Sequence, residues 1–330
     1  MLRHRLTVLA SALCFSTTGT AQALGPDAAS PVVVGASRVA VGALGLLAVT
    51  WWMQRRADRA GGTAPPGSTD GRTLVARLGL PTGPGVRGAV WRAGLAVAAY
   101  QVGFFLAVRT TGVAVGTVVA LGSAPVLTGA AGWLLGHGRP DRRWVVATAL
   151  ACGGLAVLVT GGASAHVAPV GVLLALVAAA AYAAYTVAAK ALLAAGVGAE
   201  SAMAAVFGAG AVWLLPAFAV APVGWVTTPR GAALVLWLGL VPTTLAYVLF
   251  ARGLTHLSAA ETTTLVLAEP LAAACLGIGL LGEPVGRTTL VGGGLLVTGL
   301  VAVAVRRSAA PGPATAAPGT TGTGPSGALA

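Results

Sequence analysis

Glu269 lies in the middle of an apolar stretch, residues 257–281, and is followed at once by Pro270. A carboxylate in hydrocarbon needs a cation, water or a proton, so a side chain that exchanges one of these for a substrate can couple the two. Pro270 has no amide hydrogen and leaves the carbonyl of Val266 without its helical partner, a second polar group at the same depth. The competing reading is structural, with Glu269 bonded to a neighbouring helix and setting the packing. Glu261 lies eight residues earlier, about 80° around an ideal helix from Glu269. It either borders the same cavity across a bend at Pro270, with Thr262, Thr263 and Thr264 adding hydroxyls, or sits at the helix end and reaches headgroups or Arg252. Arg38, seven residues past Pro31, is roughly 10 Å into its helix, placed to pair with Glu269 or a substrate carboxylate, or to extend to the surface. Tyr100-Gln101 and Tyr182/Tyr185 bring hydroxyls and an amide into apolar stretches, and Gln101 must bond either substrate or another helix. The candidate residues for substrate binding or proton coupling are therefore Glu269, Glu261, Arg38, Gln101, Tyr100 and Tyr185. No residue is assigned a catalytic or metal-binding role.

The elements that must position these groups are membrane helices. Of 330 residues 56% are hydrophobic and 8% charged, with mean hydropathy +0.87, a balance unsuited to a water-exposed surface. A crossing needs about 20 apolar residues, and ten stretches qualify: 6–24, 31–52, 89–108, 113–135, 144–161, 169–189, 202–221, 232–251, 257–281 and 288–305. Arg3–Arg5, the apolar run from Leu6 and Ala21-Gln22-Ala23 also resemble a cleavable signal peptide. Residues 1–23 are retained as the first helix because their loss would break the arrangement of five spans plus five. Residues 54–88, centred on Pro65-Pro66-Gly67-Ser68, read as a flexible linker, and the uncharged 308–330 tail as disordered.

The net charge of +12 does not point to nucleic acid, because the basic residues gather at span ends and form no single face. With the amino terminus cytoplasmic, Arg109, Arg230 and Arg287 fall outside and Arg38 within a span, and every other Lys and Arg falls inside. The positive-inside rule thus places both termini in the cytoplasm of a multi-pass cell-membrane protein. Lys190 and most tryptophans, Trp144 and Trp225 among them, read as interface anchors. Cys14, Cys152 and Cys275 have no paired spacing and read as packing residues, and the four histidines are far apart in sequence. Gly112/Gly116 and Gly132/Gly136 have the spacing of close helix contacts.

Sliding the chain by 145 residues sets Pro125 on Pro270 and Gly153-Gly154-Leu155 on Thr298-Gly299-Leu300. Each half holds five spans, an odd number, so the second half enters the membrane in the opposite direction, an inverted-topology repeat. Leu267-Ala268-Glu269-Pro270, Leu280-Leu281-Gly282-Glu283-Pro284 and Gly292-Gly293-Gly294-Leu295 resemble the Glu-Pro, Gly-Glu and glycine-rich last-helix elements of EamA-type carriers of the drug/metabolite transporter superfamily. The first half departs from that pattern, with Ala124-Pro125 and Gly136-His137-Gly138, although Arg38 matches an arginine common in the family's second helix. The resemblance covers residues 6–305. It implies an all-α polytopic protein of ten transmembrane helices, with repeats at 1–161 and 162–307, acting as a secondary carrier without an ATP-binding domain or other cofactor. The expected function is movement of a small metabolite or drug-like organic compound, outward by proton exchange. An uncoupled facilitator or importer and a non-transporting scaffold are the alternatives. The chain offers no metal cluster, nucleophile set or phosphate loop for an enzyme. Its partners are the bilayer, the substrate and the proton, and a homodimer is compatible with carriers of this kind although no motif specifies it. Substrate identity is left open, since sparse polar groups in apolar surroundings suit many metabolites.

Overall fold

The computed structural model describes residues 1–59, 81, 83–136, 139–160, 168–281 and 285–305. Among them the regular structure is entirely helical: α1 (Leu2–Ala23), α2 (Pro31–Arg59), α3 (Pro84–Leu134), α4 (Arg142–Thr160), α5 (Pro169–Ala194), α6 (Ala199–Leu214), the short α7 (Ala217–Val220), α8 (Pro229–Gly239), α9 (Ala246–Leu254), α10 (Ala259–Val266), α11 (Ala268–Leu281) and α12 (Arg287–Ala304). Eight helical stretches among the described residues are long and apolar enough to cross a membrane. The one at Gly85–Leu134 has 50 residues, room for two crossings, and is broken at Gly112, where φ is +84°. Only glycine adopts that backbone readily, so the break falls there and divides the third expected span from the fourth. α1 is not among the eight. Its second half carries Ser16, Thr17, Thr18, Thr20 and Gln22, yet Val8, Ala12 and Phe15 are buried in the bundle core.

The expected linker is shorter than 54–88. α2 runs on to Arg59 and α3 begins at Pro84, because 54–59 continues a helix-compatible run and Pro84 suits a first helical turn. Residues 60–80, the 308–330 tail, His137, His166 and Gly282-Glu283-Pro284 lie outside the described residues.

Helix neighbours repeat with an exchange of halves. α1 packs on α9, α10 and α11, and in the same way α5 packs on both parts of α3, while α2 lies against α6 and α4 against α12. The α4–α12 contact is the tightest backbone approach. A side chain on Gly154 would strike the backbone of Leu296 and Gly292, one on Gly292 the backbone of Leu158, and one on Gly299 the carbonyl of Ala147. The expected close contacts at Gly112/Gly116 and Gly132/Gly136 are not found. A side chain added at Gly112, Gly132 or Gly136 would meet nothing within 4 Å among the described residues, and Gly116 meets Val108 of its own helix. The φ angles of Gly112 and Gly136, +84° and +81°, show that these two serve a break and a helix end instead.

Adjacent glycines in α4 give a test. Gly154→Leu is expected to lower stability by about 1–3 kcal/mol through overpacking, read as an earlier thermal transition in detergent. Gly153→Leu, where an added side chain meets nothing nearby, should leave the transition in place. Equal effects would refute a glycine-dependent α4–α12 contact.

Candidate substrate site

α2 is held in place by glycines on two sides. Gly35 lies against Phe105 of α3, and its carbonyl accepts a hydrogen bond from Gln101 Nε2 at 3.2 Å. Gly42 and Gly45 lie against Thr243 and Thr244. Arg38 is one turn from Gly35 and one from Gly42, so it is fixed between α3 and the rod formed by α8 and α9. Its Nε is buried without a hydrogen-bond partner.

That rod is interrupted by a π-helical turn, Leu240–Leu245. Pro242 cannot donate to the carbonyl of Leu238. The Thr243 hydroxyl does so instead, at 2.8 Å, and Thr244 donates to the carbonyls of Gly239 (2.9 Å) and Gly42 (3.2 Å). Turns of this kind recur at functional sites because the extra residue re-aims the side chains beyond it. The first side chain beyond this one after Ala246 is Tyr247.

All four tyrosines of the chain meet here. Tyr182 and Tyr185 of α5 stand 5.0 Å apart by ring centroid, Tyr100 of α3 lies 5.7 Å from Tyr182 and 6.4 Å from Tyr185, and Tyr247 lies 6.4 Å from Tyr185. The Tyr185 and Tyr247 hydroxyls share a hydrogen bond of 2.9 Å. Phe207 packs on Tyr247 at 4.1 Å, and Phe15 of α1 at 5.0 Å. The Tyr182 hydroxyl and the Thr186 hydroxyl one turn on are buried and unpartnered. Glu269 enters this group from α11 and interacts electrostatically with Arg38, Tyr100, Tyr182 and Tyr247. Among the described residues no direct ion pair joins Glu269 to Arg38. The arrangement is an aromatic enclosure with one carboxylate, one guanidinium and free hydroxyls. Rings that stack and polar groups that donate and accept are the chemistry by which an organic molecule is recognised.

The helix bearing Glu269 stops and restarts. α10 ends at Val266 and α11 begins at Ala268, with Leu267 N–H bonded to Thr264 in a tighter turn. The interruption thus precedes Pro270, as the missing donor to Val266 requires.

The expected set therefore divides. Glu269, Arg38, Tyr100 and Tyr185 come together. Gln101 is 4% exposed and serves the α2–α3 contact. Glu261 is elsewhere. Its backbone N–H is capped by Ser258 Oγ at 3.1 Å, and its carboxylate accepts from Arg5 Nε at 2.7 Å, while Arg5 also donates to the carbonyl of Ala304. Arg252 donates to Glu200, not Glu261. The hydroxyls of Thr262, Thr263 and Thr264 return to carbonyls of their own helix, and Thr264 also meets Trp144 Nε1 and Thr148, so they form no cavity wall. Trp144 and Trp225 are 7% and 6% exposed and are core residues, not interface anchors. Trp144 fits against Gly129, which leaves room for its ring. Lys190 bonds the carbonyls of Leu254 and Thr255. Tyr247 is the residue that sequence reasoning missed. Its signal was Pro242-Thr243-Thr244, a proline with two hydroxyl residues inside an apolar span.

Comparison with known proteins agrees with this architecture. The model of the EamA-like transporter family matches twice, over residues 4–160 and 169–305. An uncharacterized transporter of Bacillus subtilis (strain 168), YwfM, is 36% identical over 308 residues, covering 93% of this chain and 94% of that protein. An uncharacterized transporter of Archaeoglobus fulgidus is 36% identical over 69 residues, 20% of this chain and 26% of that protein. A protein of known crystal structure superposes with a TM-score of 0.70 at 20% identity, over 91% of this chain and 96% of that one, and so shares the fold. The glutamate-proline pair, the glycine-rich last helix and two matching halves have one source: the chain belongs to the EamA-like transporter family.

Proposed function

We propose that this multi-pass membrane transporter exports a small metabolite or drug-like organic compound from the cell in exchange for protons, and that the site is the tyrosine enclosure around Arg38 and Glu269. The observation that carries this reading is the convergence of all four tyrosines with these two charged residues from five separate helices. Residues 1–161 and 162–307 act as two inverted five-helix halves, ten crossings in all, with both termini in the cytoplasm of the cell membrane. The halves rock about the site so that it opens to each side in turn. Glu269 holds a proton when the substrate is absent and releases it when the substrate arrives. Arg38 and the free hydroxyls of Tyr182 and Thr186 hold the substrate's polar groups.

The test is a transport assay in proteoliposomes with an imposed pH gradient, using panels of radiolabelled amino acids, nucleobases, sugars and organic cations. Accumulation against the substrate gradient that collapses with a protonophore supports coupled transport. Equilibration indifferent to the pH gradient would point to an uncoupled facilitator. Tyr182→Phe, which removes only the unpartnered hydroxyl, is expected to raise KM about tenfold, the value of one lost hydrogen bond to a bound ligand. An unchanged KM would remove Tyr182 from the site.

A further inference from the structure

A second site lies at the end of the bundle that carries the amino terminus. A cavity of about 420 Å³ is lined there by Arg3, His4, Thr7, Leu249, Arg252, Thr255 and His256, a volume within the range of small-ligand sites. Two of these residues are arginines, two are histidines and none is a carboxylate. The imidazoles of His4 and His256 stack face to face, 3.6 Å apart and 11° from parallel, which fixes both rings. The His256 ring is further held by Nδ1 against Thr255 Oγ1 at 2.6 Å. Nearby carboxylates cancel only part of the cationic lining. Arg5 is matched by Glu261 and Arg252 by Glu200, at 2.7 Å each. Lys190 is spent on the carbonyls of Leu254 and Thr255, and no carboxylate among the described residues pairs with Arg3. Arg252 uses Nε for Glu200, so its two terminal nitrogens are free of carboxylate and reach only Met53 Sδ, at 3.9 Å.

We propose that this cavity binds a phosphate group, held by the guanidinium groups of Arg3 and Arg252 and by ring N–H of the stacked imidazoles, while the Thr7 hydroxyl stays bonded to the Arg3 carbonyl at 2.8 Å. Guanidinium and imidazole groups converging on a cavity with no carboxylate in its lining suit an oxyanion with several oxygens. The phosphate belongs either to a soluble compound or to the headgroup of an anionic lipid, since the cavity lies at one end of the helices. Binding there ties α1 to the α9–α10 turn, two elements more than 200 residues apart in the chain, so occupancy stabilises the fold.

The test uses the full-length protein in phosphatidylcholine nanodiscs, with thermal unfolding as the readout. One arm titrates inorganic phosphate, and a second replaces part of the lipid with phosphatidylglycerol. Stabilisation by phosphate identifies a soluble ligand, and stabilisation by phosphatidylglycerol alone identifies the headgroup. In either case Arg3→Gln and His256→Asn should weaken the response about tenfold. Arg230→Gln, an exposed arginine at the other end of the α8–α9 rod, should not. The proposal is overturned by the absence of stabilisation in both arms, or by a response that Arg3→Gln leaves intact or Arg230→Gln weakens equally.

Discussion

Glu269→Gln is expected to abolish substrate-driven proton movement while substrate exchange between two sides at equal pH continues. Glutamine keeps the shape and a hydrogen-bonding oxygen but cannot hold or release a proton in the working range. Alternating access with bound substrate on both sides requires no net proton transfer, so exchange survives where accumulation does not. The effect on accumulation should approach the full signal, because Glu269 is the carboxylate within electrostatic reach of both Arg38 and the tyrosines. Two assays on one preparation decide it: proton release on substrate addition, and counterflow of labelled substrate. Retention of proton release in the variant would assign coupling to another group. Loss of both activities with the fold intact would make Glu269 a substrate ligand without a coupling role.

Breaking the Arg5–Glu261 pair is expected to have the largest effect on stability. The side chains are 5% and 10% exposed, and Arg5 joins α1 to the start of α10 and the end of α12 through Glu261 and the carbonyl of Ala304. Removing one partner leaves a buried charge without compensation, at a cost of about 3–5 kcal/mol. Glu261→Gln and Arg5→Gln should each lower the unfolding temperature sharply and reduce the amount of protein in the membrane. Arg5→Met combined with Glu261→Leu should recover much of the loss, because apolar residues of similar volume replace a buried pair at little cost. Flux per molecule in the double variant should resemble the native value, since the pair lies apart from the tyrosine enclosure. A double variant as unstable as the singles would show that the bond to Ala304, not the charge balance, holds α1.

The contrast between Glu269 and Glu261 shows where the sequence was legible. Both are carboxylates in one apolar stretch, and hydropathy marks both as needing a partner. Only the folded chain assigns Glu261 to Arg5, 256 residues away, and leaves Glu269 among aromatic rings. The same holds for His4 and His256, which share no motif and stack face to face. Close helix contact was also ambiguous in a chain with 48 glycines. Spacing favoured Gly112 and Gly116, whereas the contact uses Gly154, Gly292 and Gly299, because closeness depends on what lies opposite.

By itself the sequence determined that the chain is a helical membrane protein built of repeats, that the helix bearing Glu269 is interrupted beside Pro270, and that Glu269 and Arg38 are charges in apolar surroundings. These follow from local physics: hydrocarbon demands long runs of apolar residues with internally bonded backbone, glycine and proline mark the breaks, and charge is costly wherever it is enclosed. The tertiary structure alone decided which polar groups meet. It turned Tyr247 toward Tyr185 through the π turn at Pro242, drew Tyr100 and Tyr182 to the same place, and gave Glu261 to Arg5. Partner choice between helices depends on their rotation and crossing as a set, a property of packed pairs that no single span carries.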